Sequence, residues 1–250
     1  FKGQFKETIG NIKSRSGRFI ILGALLGGPV GMTGYLLAIK YLGPAYTAII
    51  SSLYPALGAL LSYLFLKEKM KKSNILGLMI SILGIISLGY SPQGMPTHLV
   101  MGFIFALLCV FGWASEAVIC SYGMKDDELT PNQSLFIRQL TSAITYGVII
   151  IPLIQGVNFT LATLLDRSLL LILLTALAGT LSYSFYYKAI HKIGATKAMS
   201  LNITYSAWAV LFGIVFNSID LKSVICGGLI IMGSILAAGD LSEFKLVEAK

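Results

Sequence analysis

Long apolar stretches alternate with short polar ones along the whole chain. The apolar stretches are about 20 residues long, which is the length that a helix needs to cross a hydrocarbon core of about 30 Å. The connections between them carry glycine, proline and charged residues, and they leave no room for a soluble domain. The pattern predicts an all-α polytopic membrane protein with eight transmembrane helices, at residues 19–40, 44–66, 73–90, 98–122, 132–154, 168–190, 196–217 and 223–240.

Composition supports a lipid environment. The mean hydropathy is +0.80, and only 12% of the residues are charged, whereas soluble domains carry about 25%. The net charge of +8 does not indicate nucleic-acid binding, because the basic residues cluster in connections on one side of the predicted bundle. Positively charged connections stay in the cytoplasm, so both ends are predicted to be cytoplasmic. The basic residues on that side are Lys2, Lys6, Lys13, Arg15, Arg18, Lys67, Lys69, Lys71, Lys72, Lys188, Lys192 and Lys197.

The chain repeats itself at an offset of 151 residues, the separation of Gly43 and Gly194. Spans one to three match spans six to eight in this register, and Tyr54 matches Tyr205. We therefore expect two five-helix repeats, inverted in the bilayer because each has an odd number of helices. The predicted domains are a partial N-terminal repeat of three spans, 1–91, and a C-terminal repeat of five spans, 96–241. Two further helices are expected upstream of Phe1; the alternative is a chain of eight helices.

Several segments resemble a known family. The stretch YLGPAYTAIISSLYPALGALLSYLFLKEK resembles the EamA branch of the drug/metabolite transporter superfamily. A narrower resemblance, to the bacterial choline uptake transporters of the lic type, rests on GALLGGPVGM, AIKYLG, LYPA, GWASEAV, LFIRQLTS, SYSFYYKAI and LNITYSAW. It implies proton-coupled uptake of choline or a related quaternary ammonium across a bacterial inner membrane. The partners expected from it are a small-molecule cation, protons and the lipid bilayer.

Glu116 is the only charged residue between about 99 and 124. A charge at the centre of a bilayer costs about 3 kcal/mol or more, so Glu116 is expected to face the interior of the bundle. A carboxylate there can exchange a proton for a cation, which makes Glu116 the candidate coupling residue. The alternative is a structural hydrogen bond to a neighbouring helix. Trp113 precedes Glu116 by one turn and shares its helix face.

Aromatic side chains near the middle of several spans are candidates for recognising a quaternary ammonium. Such an ion offers no hydrogen-bond donor at its nitrogen, so a carboxylate and aromatic faces must recognise its charge. The alternative for these rings is packing within the bundle or an interfacial belt. The predicted substrate-binding residues are Glu116, Trp113, Tyr54, Asn202, Tyr205, Trp208, Tyr183 and Tyr186.

Two further features of the spans carry alternatives. Arg138 lies about two turns into the fifth span, and its long side chain is expected to extend to the cytoplasmic surface rather than to act directly with Glu116. In the first span, Gly23, Gly27 and Gly31 are spaced by four residues, which favours close packing of helices. Pro29 removes a backbone hydrogen bond, so Pro29 and Gly31 are also a possible hinge.

The sequence disfavours other classes of function. An intramembrane enzyme needs paired acids or a nucleophile with its base at one depth, and Glu116 has no second acid within the spans. No metal-ligand spacing or cofactor motif is present, so neither a metal nor a cofactor is predicted. The alternatives to choline uptake are an exporter of amino acids or other small metabolites and a structural or receptor-like membrane subunit. The oligomeric state is not predicted.

Overall fold

The computed structural model describes residues 8–89, 98–126, 128–208 and 221–238, and the regular structure in these ranges is helical throughout. The main helices, with short irregular segments inside some of them, are α1 (Arg15–Pro44), α2 (Tyr46–Leu66), α3 (Lys72–Gly89), α4 (Leu99–Gly123), α5 (Pro131–Leu153), α6 (Val157–Leu164), α7 (Ser168–Ile193), α8 (Ala195–Asn202) and α9 (Leu221–Ala238).

Six of these helices are long and apolar enough to cross a membrane, namely α1, α2, α4, α5, α7 and α9. The protein is therefore a multi-pass membrane protein. Helix α3 coincides with the predicted third span, but its apolar stretch, Lys72–Ser87, is shorter. The predicted seventh span is described only as far as residue 208, and its remainder lies outside the described residues. Helix α6 lies between the predicted fifth and sixth spans, where the sequence predicts only a connection.

Side chains accept hydrogen bonds from free backbone amides at the starts of α5 and α8. Helix α5 begins with a capping box, in which Thr130 accepts a hydrogen bond from the backbone of Gln133 and the Gln133 side chain accepts one from Thr130. At α8, the Glu68 carboxylate accepts hydrogen bonds from the backbone amides of Ala195 and Thr196, both at 3.3 Å. A carboxylate is favoured there because the helix N-terminus carries partial positive charge. Glu68 thus joins the end of α2 to the start of α8.

The long helices contain irregular segments. Wider π-helical turns lie at Leu26–Met32 in α1, Ser62–Leu66 in α2 and Tyr146–Ile150 in α5. The chain turns at Gly43, near the end of α1, with φ 79°, and between α7 and α8 at Gly194, with φ 86°. Glycine adopts such positive φ values without the clash that a Cβ atom would cause.

Helix α4 lies at the centre of the largest buried cluster. Ala114, Ala117 and Cys120 on this helix are fully buried, and α1 and α2 pack against it. The glycines of α1 allow the approach: a methyl group at Gly31 would lie only 2.9 Å from Cδ1 of Trp113. The predicted close packing of this glycine face is confirmed. Helix α9 packs mainly against α3.

Candidate functional site

Glu116 lies in the last third of α4 and points into the bundle. Only 4% of the residue is exposed, as expected for a charged residue within a span. Gly27 in the π-helical turn of α1 lies directly against it, so closely that a methyl group at this position would overlap Oε2 of the carboxylate. The sequence of α1 therefore makes room for the acidic side chain by omitting one of its own.

Arg138 of α5 pairs with this carboxylate. Its Nε donates to Oε1 of Glu116 at 2.8 Å, and its Nη2 donates to Oε2 at 3.4 Å. Arg138 is only 7% exposed, so the expectation that it extends to the cytoplasmic surface is wrong. The physical reason is that an unpaired carboxylate is costly inside a membrane, and a two-point contact with a guanidinium offsets that cost.

Tyrosine side chains of α7 complete the surroundings of the ion pair. The Tyr187 hydroxyl donates to Oε1 of Glu116 at 3.1 Å and lies 3.4 Å from Sγ of Cys120. Nη2 of Arg138 donates to the Tyr183 hydroxyl at 3.4 Å, and Cζ of Arg138 lies 4.6 Å from the centroid of that ring. Tyr187 is absent from the predicted site residues, although its spacing of four from Tyr183 already places both rings on one helix face.

A cavity of about 260 Å³ opens beside the carboxylate. It brings together seven of the eight predicted substrate-binding residues, from α2, α4, α7, α8 and the helical turn that follows α8. The sequence does not predict two further lining residues, Met32 and Tyr35 of α1. The lining residues are Met32, Tyr35, Tyr54, Trp113, Glu116, Tyr183, Tyr186, Asn202 and Tyr205.

The aromatic rings of the cavity hold one another in place. The Tyr54 and Trp113 rings meet edge to face with centroids 5.7 Å apart, and the centroid of the Tyr35 ring lies 5.2 Å from that of Trp113. The Tyr54 hydroxyl accepts a hydrogen bond from Nδ2 of Asn202 at 2.9 Å and donates to the carbonyl of Met199 at 3.2 Å. These contacts fix the ring faces before any ligand binds, which lowers the ordering cost of binding.

Trp208 is the predicted residue that does not line the cavity. It is 53% exposed in the described part of the chain. Side chains three residues apart in a helix point in directions that differ by about 60°, so those of Asn202, Tyr205 and Trp208 spread over a wide arc. The first two of these residues reach the cavity, and Trp208 at the end of the arc does not.

The candidate hinge lies next to the site. Pro29 and Gly31 both fall within the π-helical turn of α1, and both are buried. Proline has no backbone N–H to donate, and a wider turn accommodates the missing hydrogen bond. Whether this turn bends during function stays a prediction. Among the described residues, no group of three His, Cys, Asp or Glu side chains is placed to hold a metal.

Comparison with known proteins gives consistent matches. The model of the EamA-like transporter family matches residues 2–90 and 100–239. The chain is 39% identical over 203 residues to protein LicB of Haemophilus influenzae, covering 81% of this chain and 68% of LicB. A crystal structure with 17% sequence identity superposes with a TM-score of 0.67 over 92% of this chain and 78% of that one, which shows a shared fold.

Proposed function

The chain belongs to the EamA-like transporter family, and on this basis we propose that it is a secondary active transporter for uptake of choline or a related quaternary ammonium. Family membership makes the protein a membrane transporter rather than an enzyme. The observation that carries the choline proposal is the cavity beside Glu116, where a buried carboxylate adjoins six aromatic side chains. Fixed aromatic faces attract a quaternary ammonium, and each desolvated ring contributes about 2 kcal/mol.

Proton coupling through Glu116 is part of the proposal. The carboxylate contacts the guanidinium of Arg138 and also lines the cavity, so it is placed to exchange one positively charged partner for another. A proton gradient across the membrane would then bias the direction in which the cation is carried.

The proposed architecture is two inverted repeats in a bacterial inner membrane, with domains 1–91 and 96–241 and both ends cytoplasmic. The repeat is supported by the matching backbone angles at Gly43 (φ 79°, ψ 166°) and Gly194 (φ 86°, ψ 161°), and by the two segments that the family model matches. The orientation is supported by the basic residues that follow α2.

Binding and transport of choline test the proposal. Isothermal titration of choline into the purified protein is expected to give a saturable heat. Proteoliposomes are expected to take up labelled choline at a rate that depends on external pH. The Glu116→Gln variant keeps the size of the side chain and removes its charge, so it is expected to lose this uptake. Absence of saturable choline binding by the unaltered protein, or uptake indifferent to Glu116→Gln, would contradict the proposal.

One observation supports an amino acid as the substrate, as in the alternative of an exporter of amino acids or other small metabolites. Glu116 and Arg138 place opposite charges side by side, and this arrangement matches the ammonium and carboxylate of a zwitterion. Competition separates the two substrates: an amino-acid carrier would release bound choline when amino acids are added, whereas a quaternary-ammonium carrier would release it only to trimethylated analogues.

A further inference from the structure

Arg138 stands at the boundary of two cavities. The first is the aromatic cavity of about 260 Å³ that contains the Glu116 carboxylate. The second is larger and more open, about 1020 Å³, and lies between α5, the exposed side of α7 and the π-helical turn of α1. Tyr183 lines both cavities, whereas Arg138 lines only the larger one. The guanidinium therefore reaches the carboxylate from outside the aromatic cavity.

Arg138 makes the same kinds of contact that a quaternary ammonium ion requires. It pairs with Glu116 at 2.8 Å and lies 4.6 Å from the centroid of the Tyr183 ring. These are a carboxylate and an aromatic face, the two features that attract an organic cation. As long as the pair is intact, the negative charge at the cavity wall is already neutralised.

The larger cavity offers polar groups that can receive the guanidinium. Oε1 of Gln139 already accepts a hydrogen bond from Nη1 of Arg138 at 3.4 Å. Ser142, one helical turn further along α5, lines the same cavity, and its Oγ is buried without a hydrogen-bond partner among the described residues. Asn132 supplies a further amide in the wall. These groups line the same cavity as Arg138, so they are the partners available to a guanidinium that has left the carboxylate.

On the basis of the proposed function, we propose that Arg138 is a displaceable internal cation that determines specificity. A substrate with a permanent positive charge takes the Glu116 carboxylate, and Arg138 moves into the larger cavity. A neutral analogue offers the carboxylate no charge in exchange and leaves Arg138 in place. After the substrate has left, Arg138 pairs with Glu116 again, so the carrier returns without an unpaired carboxylate inside the membrane, which would be costly.

Three measurements on the Arg138→Gln variant test this role. Choline is expected to bind at least about tenfold more tightly, because the internal competitor for the carboxylate is gone. Exchange of internal for external choline is expected to continue, since the loaded carrier is unaffected. Net uptake is expected to fall by at least about tenfold, because the unloaded carrier must return with an unpaired carboxylate. Arg167→Gln, at the exposed start of α7, is the matched control and is expected to change none of these values.

The outcomes separate this role from a structural one and from the proposed function itself. If Arg138→Gln gives a folded protein that binds choline as weakly as the unaltered protein or more weakly, displacement is wrong. Parallel loss of exchange and net uptake also overturns it. If Arg138→Gln fails to fold, Arg138→Lys is tested instead, because it keeps the charge and loses the two-point contact with Glu116. Smaller changes in choline binding and net uptake are expected for this variant, in the same directions. Absence of choline binding by the unaltered protein would refute the proposed function instead.

Discussion

The close contact between α1 and the buried carboxylate gives a sharp prediction for Gly27→Ala. The added methyl group would overlap Oε2 of Glu116, so either the side chain rotates away or the two helices separate. Rotation would break the contact with Arg138, whose Nε lies 2.8 Å from Oε1. Inserting one methyl group into a tightly packed interior costs about 1–3 kcal/mol, and this range corresponds to a factor of about 5–150 in an equilibrium constant.

Choline titration and thermal unfolding in detergent measure both consequences. We expect Gly27→Ala to weaken choline binding by at least about fivefold and to lower the unfolding temperature. Gly228→Ala is the matched control, because a methyl group at that exposed position of α9 meets nothing within 4 Å. It is expected to leave choline binding unchanged and to favour the helix slightly. If Gly27→Ala has the same choline affinity and unfolding temperature as the unaltered protein, the contact between Gly27 and Glu116 does not determine the shape of the site.

The remaining predictions concern the surroundings of the site. Tyr187→Phe removes one hydrogen bond to the buried carboxylate, which is worth about 1.5–3 kcal/mol. Titration is expected to show that choline binds about tenfold more weakly to this variant. Tyr63→Phe alters an exposed tyrosine and is the neutral control. Trp113→Leu removes a ring from the cavity and is expected to weaken choline binding by about tenfold, whereas Trp208→Leu is expected to bind normally; equal losses in both would contradict the cavity. Glu68→Ala removes the cap of α8 and is expected to destabilise the protein by about 1 kcal/mol, seen as a lower unfolding temperature. An unchanged unfolding temperature would mean that this cap adds nothing.

The sequence does not predict the ion pair at the centre of the site, because each of its two residues has a sufficient explanation by itself. Glu116 is conspicuous because it is the only charge in a long apolar stretch, whereas Arg138 lies in a more polar segment where extension to the surface is a sufficient explanation. Only the tertiary structure reveals that the two side chains meet. Their separation of 22 residues along the chain carries no such information.

The aromatic residues show the same limit at finer scale. Helical spacing places Tyr183 and Tyr186 on one face, and the repeat relates Tyr54 to Tyr205, so the sequence singles out most of the rings that line the cavity. The sequence predicts both Trp208 and Tyr205 as substrate-binding residues, although only Tyr205 lines the cavity. It also passes over Tyr35, because a tyrosine in an apolar helix is equally suited to packing.

By itself, the sequence determined that the protein is helical, lies in a membrane and carries one acidic side chain within a long apolar stretch. These properties follow from hydropathy and spacing, which act along the chain and need no partner. The tertiary structure alone decided that Gly27 makes room for Glu116, that Arg138 neutralises it and that rings from separate helices enclose one cavity. Such contacts depend on the rotation and depth of each packed helix, and a shift of one residue turns a side chain by about 100°.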